Sequence, residues 1–380
     1  MSQTMTSAMR RFAGLLLGAG ALMACAAQAE EGVTPDAIAI TRVISLEGPA
    51  GAKGREQEVA LRAYFASVNQ GGGIHGRKVV LKTVDEDLRT EVSLKRIHEA
   101  HRPFAFFLFG GTAGSTIAMH YAEQHKIPFV APNSGATVFH QPPHRHVFNV
   151  RARYRDEVIS ALRHFSVVNH RRVALIRVDD AFGQDAASGF EEGVALTGIT
   201  AAYRGILRDN TDNALHLRHL VEDGVQAVIC VGPSRRVAEF IVAARQAKVG
   251  AVFMTLSNNA SSGFARDLGS HARGVIVSQV TPPAATQSTR LSRELRQLLA
   301  DAPEAQVSYA AMEAYASAKV LVEGLRKAGP HLTREGYVQA LESLRRFDLG
   351  GLEVDFTPPR RSGSSHVELS ILAADGRYLR

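Results

Sequence analysis

Residues 106–116 read FFLFGGTAGST. An apolar run stops abruptly in glycines and small hydroxyl residues, the pattern of a buried strand that ends in a turn and feeds a helix. A phosphate loop needs GxxxxGK[ST], whose lysine neutralises the phosphates. No lysine follows Gly114, so a nucleotide is not expected here. What remains is a helix beginning near Gly114, with the hydroxyls of Thr112 and Ser115 beside its first free N–H groups. Such an end favours a carboxylate or other small anion. The competing reading is that one hydroxyl only caps the helix.

Outward from this turn the chain alternates. Strand-like runs at 37–45, 77–84, 104–109, 128–131, 173–178, 200–206, 227–232, 251–255 and 274–280 are separated by helical-period segments at 55–69, 90–100, 114–125, 156–166, 184–196, 212–222 and 234–247. Nearly continuous apolar strands between amphipathic helices predict an α/β fold of mostly parallel sheets covered on both faces. The rhythm breaks at 132–147, which holds three prolines, and at 281–289, TPPAATQST. Beyond that the chain turns helical, with 305–328 a long helix, and closes on strand-like runs at 352–356 and 366–372. The pattern predicts two similar lobes with several crossings: residues 30–149 plus 281–349, and residues 150–280 plus 350–380. Ligands of such sheets bind in the cleft outside the carboxyl ends of the strands.

Residues 1–29 do not fit that fold. Arg10 and Arg11 precede the acid-free stretch FAGLLLGAGALMACAA, and Ala27-Gln28-Ala29 has the small-x-small form cut by signal peptidase. The apolar run is short for a span, which needs about 20 residues. LMAC, ending at Cys25, also resembles a lipobox, but Glu30 directly after AQA and the middling Met23 favour cleavage after Ala29. Either route predicts export to the periplasm. Cleavage removes two arginines and no acid, taking the net charge from +7 to +5. The remaining basic residues are scattered, Trp is absent and no nucleic-acid module is present, so nucleic acid is not an expected partner. The one cysteine left, Cys230 in AVICVG, reads as a buried small hydrophobe.

Other motifs carry little chemistry. NQGGGIHGRK contains GxGxxG (Gly71, Gly73, Gly76), but it follows a helix and precedes a strand, the reverse of the dinucleotide fingerprint. It reads as a helix stop. His140, His144 and His146 lie in a Pro-containing loop without helical spacing or a cysteine or carboxylate partner, and read as histidines of an exposed connection rather than metal ligands. Asp85, Glu86 and Asp87 alternate faces at a strand end and read as solvated acids. GxSxG, HExxH and CxxC do not occur, so neither catalysis nor a cofactor is expected. By contrast, small and polar turns recur at equivalent points, after strands or before helices: 110–116, 132–137, 179–184 (DDAFGQ), 232–236 (GPSRR) and 255–261 (TLSNNAS). Arg151, Arg153 and Tyr154 of FNVRARY fall near the junction of the two blocks.

With these residues in view, the chain resembles the leucine/isoleucine/valine-binding-protein family, the type I periplasmic substrate-binding components of branched-chain-amino-acid-type ABC importers. The resemblance covers the mature chain and shows in EGPAGAKGREQEVALRAYFASVNQGGGIHGRKVVL followed by DED, in IPFVAPNSGAT, in VALIRVDDAFGQDAASGFEEG and in FIVAARQAKVGAVFM. It implies two lobes closing on a solute by a hinge, with the solute carboxylate held by two turns of the first lobe. Those turns match Thr112, Ala113 and Ser115, and Ser134, Ala136 and Thr137. Tyr154, Phe182, Ser234 and Ser257 would shape the rest from the second lobe. The family's usual tyrosine is here Phe182, the acid that pairs with a ligand ammonium is absent from TLSNNAS, and the disulfide of some members is missing. A buried ammonium without a counter-charge costs several kcal/mol, so an amine-free acid is as good an expectation as an amino acid. The resemblance implies a monomer that binds a small-molecule solute and meets ABC permease subunits transiently. A sensory partner of a membrane kinase or chemoreceptor is the alternative, and a secreted hydrolase a distant third.

Overall fold

A computed structural model describes residues 30–48, 51–208, 213–302 and 307–379. The expected signal segment and Cys25 lie outside these residues. The first block runs β1 (Ala37–Val43), α1 (Gly51–Gln70), β2 (Lys78–Val84), α2 (Glu91–His101), β3 (Ala105–Phe107), α3 (Thr112–His125), β4 (Phe129–Val130) and β5 (Val147–Phe148). The second runs α4 (Tyr154–Val167), β6 (Arg172–Arg177), α5 (Ala181–Thr197), β7 (Thr200–Ile206), α6 (Asn213–Glu222), β8 (Ala227–Val231), α7 (Ser234–Gln246), β9 (Val252–Thr255), α8 (Ser262–Leu268) and β10 (Ile276–Gln279). Helices α9 (Arg290–Leu298), α10 (Tyr309–Ala328) and α11 (Arg334–Glu342) follow, then β11 (Phe347–Asp348), β12 (Glu353–Val354), β13 (Glu368–Leu372) and β14 (Tyr378–Leu379).

Most strands form one main sheet in each lobe, while β11 and β12 pair separately as a short antiparallel ribbon. The first, β2-β1-β3-β4-β5, is parallel throughout. The second, β14-β13-β10-β9-β8-β6-β7, is parallel except where β13 pairs with β10 and β14. In the first sheet the chain leaves β1 for β2 on one side and β3 on the other. In the second it leaves β6 for β7 and then β8. Each reversal opens a crevice at the strands' carboxyl ends, where ligands of open α/β sheets collect. The turns after β3, β6 and β8 all stand at these switch points.

Three buried clusters sandwich the sheets. One joins β1, α1 and α10 (Ile40, Leu61, Leu321). A second includes Phe106, Met119, Leu162 and Phe190 and runs from one lobe into the other. The third covers the far face of the second sheet with Phe240, Phe253 and Phe264. Cys230 is buried within β8, as the sequence suggested.

Several expectations need correction. The strand expected at 104–109 is only Ala105–Phe107, because Leu108 takes a positive φ of 53° and bends the chain toward the turn. The closing runs expected at 352–356 and 366–372 are shorter, Glu353–Val354 and Glu368–Leu372, and pair with β11 and β10 respectively. Leu352, Val354 and Phe356 lie in the core of the first lobe, beyond the limit at 349 expected for it. His140 and His146 are not exposed. His140 is only 4% accessible and meets Ser362 Oγ through Nδ1 at 2.7 Å, while His146 meets Glu123. The proline-rich loop is pinned between α3 and the last crossing rather than left in solvent.

Burial, with help from Arg153, pushes the His140 pKa down to about 3. An unfolded histidine titrates near ~6.5, so below that pH the unfolded chain binds a proton that the folded one refuses. This contribution to stability is full above pH ~6.5 and is lost as pH falls, at up to about 1.4 kcal/mol per unit. Urea unfolding at pH 6.5 and 4.5 should therefore show a loss attributable to this site of about 2 kcal/mol, largely absent in His140→Asn.

Candidate functional site

Gly111 caps α3 without any side-chain hydrogen bond. The first helical bond runs from Ser115 N to Gly111 O at 3.2 Å, so the amides of Thr112, Ala113 and Gly114 precede the hydrogen-bonded ladder. Across the turn, Thr112 Oγ1 and Ser134 Oγ lie 2.9 Å apart. Ser134 also accepts from Ala136 N at 3.2 Å and meets the Tyr154 hydroxyl. The second turn is set by a close approach: a Cβ on Gly135 would stand 2.8 Å from both Ala152 O and Tyr154 N, so no side chain fits there. Asn133, next in the turn, pairs with Gln57, which accepts from the buried Arg42 at 2.5 Å. Burial lowers the Arg42 pKa to about 10, with Glu58 opposing that shift.

Other expected residues have different employment. Ser115 Oγ donates to Phe109 O at 2.9 Å, tying the helix back to the end of its strand. Thr137 offers its amide to Asp185 Oδ1 at 2.8 Å, across to the second lobe. Phe182 packs on Tyr154, ring centres 4.5 Å apart. Ser234 opens α7 half-buried and shares no hydrogen bond with the group.

Ser257 belongs to a buried ion network that residue patterns did not reveal. Arg151, 3% accessible, donates from Nη1 to Glu313 Oε1 at 3.0 Å and from Nη2 to Glu157 Oε1 at 2.7 Å and Ser257 Oγ at 2.5 Å. Its guanidinium lies over the Tyr154 ring, 4.7 Å from the centroid. Glu157, wholly buried, further accepts from Ser257 Oγ and N, each at 2.9 Å, and from Ser278 Oγ at 2.5 Å. Lys53 Nζ completes the chain at 2.8 Å from Glu313 Oε2. Burial by itself would lower the Arg151 pKa; Glu313, Tyr154 and Glu157 more than reverse that and keep it charged. Burial would raise the Glu313 pKa, but Lys53 and Arg151 hold it below the ordinary value. One signal was available: Glu157 sits among Tyr154, Val158, Ala161 and Leu162 on the buried stripe of α4.

A family model described as periplasmic binding protein matches residues 37–375. The chain belongs to the periplasmic binding protein family. A substrate-binding periplasmic protein from Ralstonia solanacearum has the same fold at 26% identity, with 90% of this chain and 99% of that one covered and a TM-score of 0.81. A fatty acid ABC transporter substrate-binding protein from Thermomonospora curvata superposes at a TM-score of 0.82 with 18% identity, over 93% and 94% of the chains. A branched-chain amino acid ABC transporter protein from Thermus thermophilus with bound valine does so at 0.77, with 17% identity over 91% and 96%. Among curated proteins none matches by sequence. As a periplasmic binding protein, this chain belongs to a family of solute-binding proteins, and its family and fold neighbours are binding proteins rather than enzymes. Among the described residues, no group of three His, Cys, Asp or Glu is placed to hold a metal ion.

Arg151→Met should destabilise this periplasmic binding protein by about 3–5 kcal/mol, the usual cost of stranding a buried charge. Urea unfolding at neutral pH measures it. A loss under about 1 kcal/mol would be surface-pair behaviour and contradict the buried network.

Proposed function

We propose that the protein captures a small organic acid without an α-ammonium group and delivers it to an ABC permease. The observation that carries this reading is the uncapped amide end of α3 beside the Thr112–Ser134 hydroxyl pair, at the switch point of the first sheet. Aligned amides and hydroxyls suit a carboxylate. Tyr154 and Phe182 supply an apolar flank for the solute body. The amine is disfavoured because Glu157, the acid nearest Ser257, already accepts four hydrogen bonds, about the capacity of a carboxylate. Lys53 and Arg151 balance Glu157 and Glu313, which leaves no surplus negative charge for an ammonium.

A thermal-shift screen with matched pairs tests this: leucine against 4-methylpentanoate, phenylalanine against 3-phenylpropanoate. The deaminated member should raise Tm by several degrees at a hundredfold excess over Kd, where stabilisation is about 2.7 kcal/mol. Stabilisation by amino acids alone would overturn the amine-free assignment.

The two serines separate seat from scaffold. For whichever acid binds, Ser134→Ala should weaken affinity by about 1.5–3 kcal/mol, the worth of one hydrogen bond to a charged group. Ser115→Ala should leave affinity nearly unchanged and lower Tm, because its hydroxyl serves Phe109. Isothermal titration of both variants checks the contrast.

A further inference from the structure

The lobes touch at two rims of the cleft, and the contacts mirror each other. At one rim Glu56 of α1, in the first lobe, accepts from Ser262 N at 3.0 Å and from the Ser262 hydroxyl. Ser262 is the first residue of α8, in the second lobe. At the other rim the roles reverse. Asp185 of α5, in the second lobe, accepts from Thr137 N at 2.8 Å, and Thr137 opens a short 3-10 turn of the first lobe. Each lobe thus lends one carboxylate to the amide that starts a helical turn of the other. An anion is favoured at such a start and its hydrogen bond is charge-assisted.

The first rim is also close-packed. A Cβ on Gly263 would stand 2.4 Å from the Ala52 Cβ, a distance real carbon atoms do not reach. The two lobes therefore approach as far as a glycine permits. Burial raises the Asp185 pKa above its ordinary value, as expected for a carboxylate enclosed between two lobes. Neither carboxylate is part of the Arg151 network, and neither belongs to the Thr112–Ser134 pair.

The geometry assigns Glu56 and Asp185 as reciprocal latches that hold the closed arrangement by themselves, with Gly263 as the steric limit of closure. They act as positioning residues for solute binding: they set how often the lobes are already closed when a solute arrives, and hence the fraction of molecules with an assembled site. Thr137, expected from the sequence as a solute contact, serves in this arrangement as the receiver of a latch.

Pulsed-EPR distances on the mature chain test this without any solute. Spin labels go on Val92→Cys and Val221→Cys, exposed positions on α2 of the first lobe and α6 of the second, while Cys230 is buried and unreactive. Native mass spectrometry confirms that the sample carries no bound solute. The parent protein should show a dominant short-distance population. Glu56→Ala plus Asp185→Ala should transfer it to a longer-distance population, each lost latch shifting the open-to-closed ratio by about tenfold or more. Gly263→Leu, which removes no hydrogen bond, should do the same by wedging the rim. If the double alanine variant does not fold, Glu56→Gln and Asp185→Asn keep the shape and should give a smaller shift in the same direction. A solute-free parent that is already open, or variants whose distances match the parent's, would overturn the assignment. Because no solute enters the measurement, failure here leaves the organic-acid reading untouched, and failure of that reading leaves this one standing.

Discussion

Arg151 lies in the first crossing between the lobes, 3% accessible, and its charge cannot be left to solvent. A buried guanidinium is tolerated only with opposite charges and hydrogen bonds around it. Two carboxylates meet that demand, and they come from different places. Glu157 stands at the start of α4, six positions on; Glu313 comes from α10, 162 positions away in sequence. Satisfying one side chain therefore fixes where the second lobe begins and where the returning helix packs. Ser257 and Ser278 are drawn in to complete Glu157, which registers the ends of β9 and β10 against α4. The second-lobe wall of the cleft follows from the pairing of one cation.

This constraint separates the hydroxyls of the cleft into two classes. Those of Ser257, Ser278 and Ser115 have internal acceptors, and their geometry serves the protein itself. Thr112 and Ser134 meet each other beside the uncapped end of α3, and Ser134 also accepts from Ala136 N and meets the Tyr154 hydroxyl. Residue type does not distinguish the classes, since all but one are serines.

That distinction marks what the sequence could convey. Parallel strands covered on both faces produce long apolar runs, so alternation along the chain exposed most of the sheets, and small polar residues at strand ends exposed the turns. β5 was hidden because it is two residues long and follows a proline-rich loop. The helix α8 is short and begins directly after the turn TLSNNAS, whose last residue, Ser261, caps it. In the site, Thr112, Ser134, Tyr154 and Phe182 were legible as one neighbourhood, because each stands next to a strand end or a crossing. The distant partners of Arg151 were not, since Glu313 and Ser257 are more than a hundred positions away in sequence. Asp185 gave no sign of reaching the other lobe; an acid in the first turns of a helix is ordinarily explained by its own helix's dipole.

The charge balance also bears on what a carrier must do, which is to release as well as bind. Lys53 and Arg151 face Glu313 and Glu157, two cations against two anions, so the network contributes little net field to the cleft. In the proposed reading the solute's carboxylate meets partial charges, the amides of a helix end and two hydroxyls, rather than a formal cation. Each such bond contributes modestly once desolvation is counted. A lysine or arginine in direct contact would bind more strongly, and would draw inorganic phosphate and sulfate from the surroundings as readily as the intended acid. In that reading, confining the full charges to internal pairs leaves a seat suited to a planar monoanion. Its occupancy then depends on the apolar body of the solute and on closure of the lobes, both of which are undone when the lobes are drawn apart.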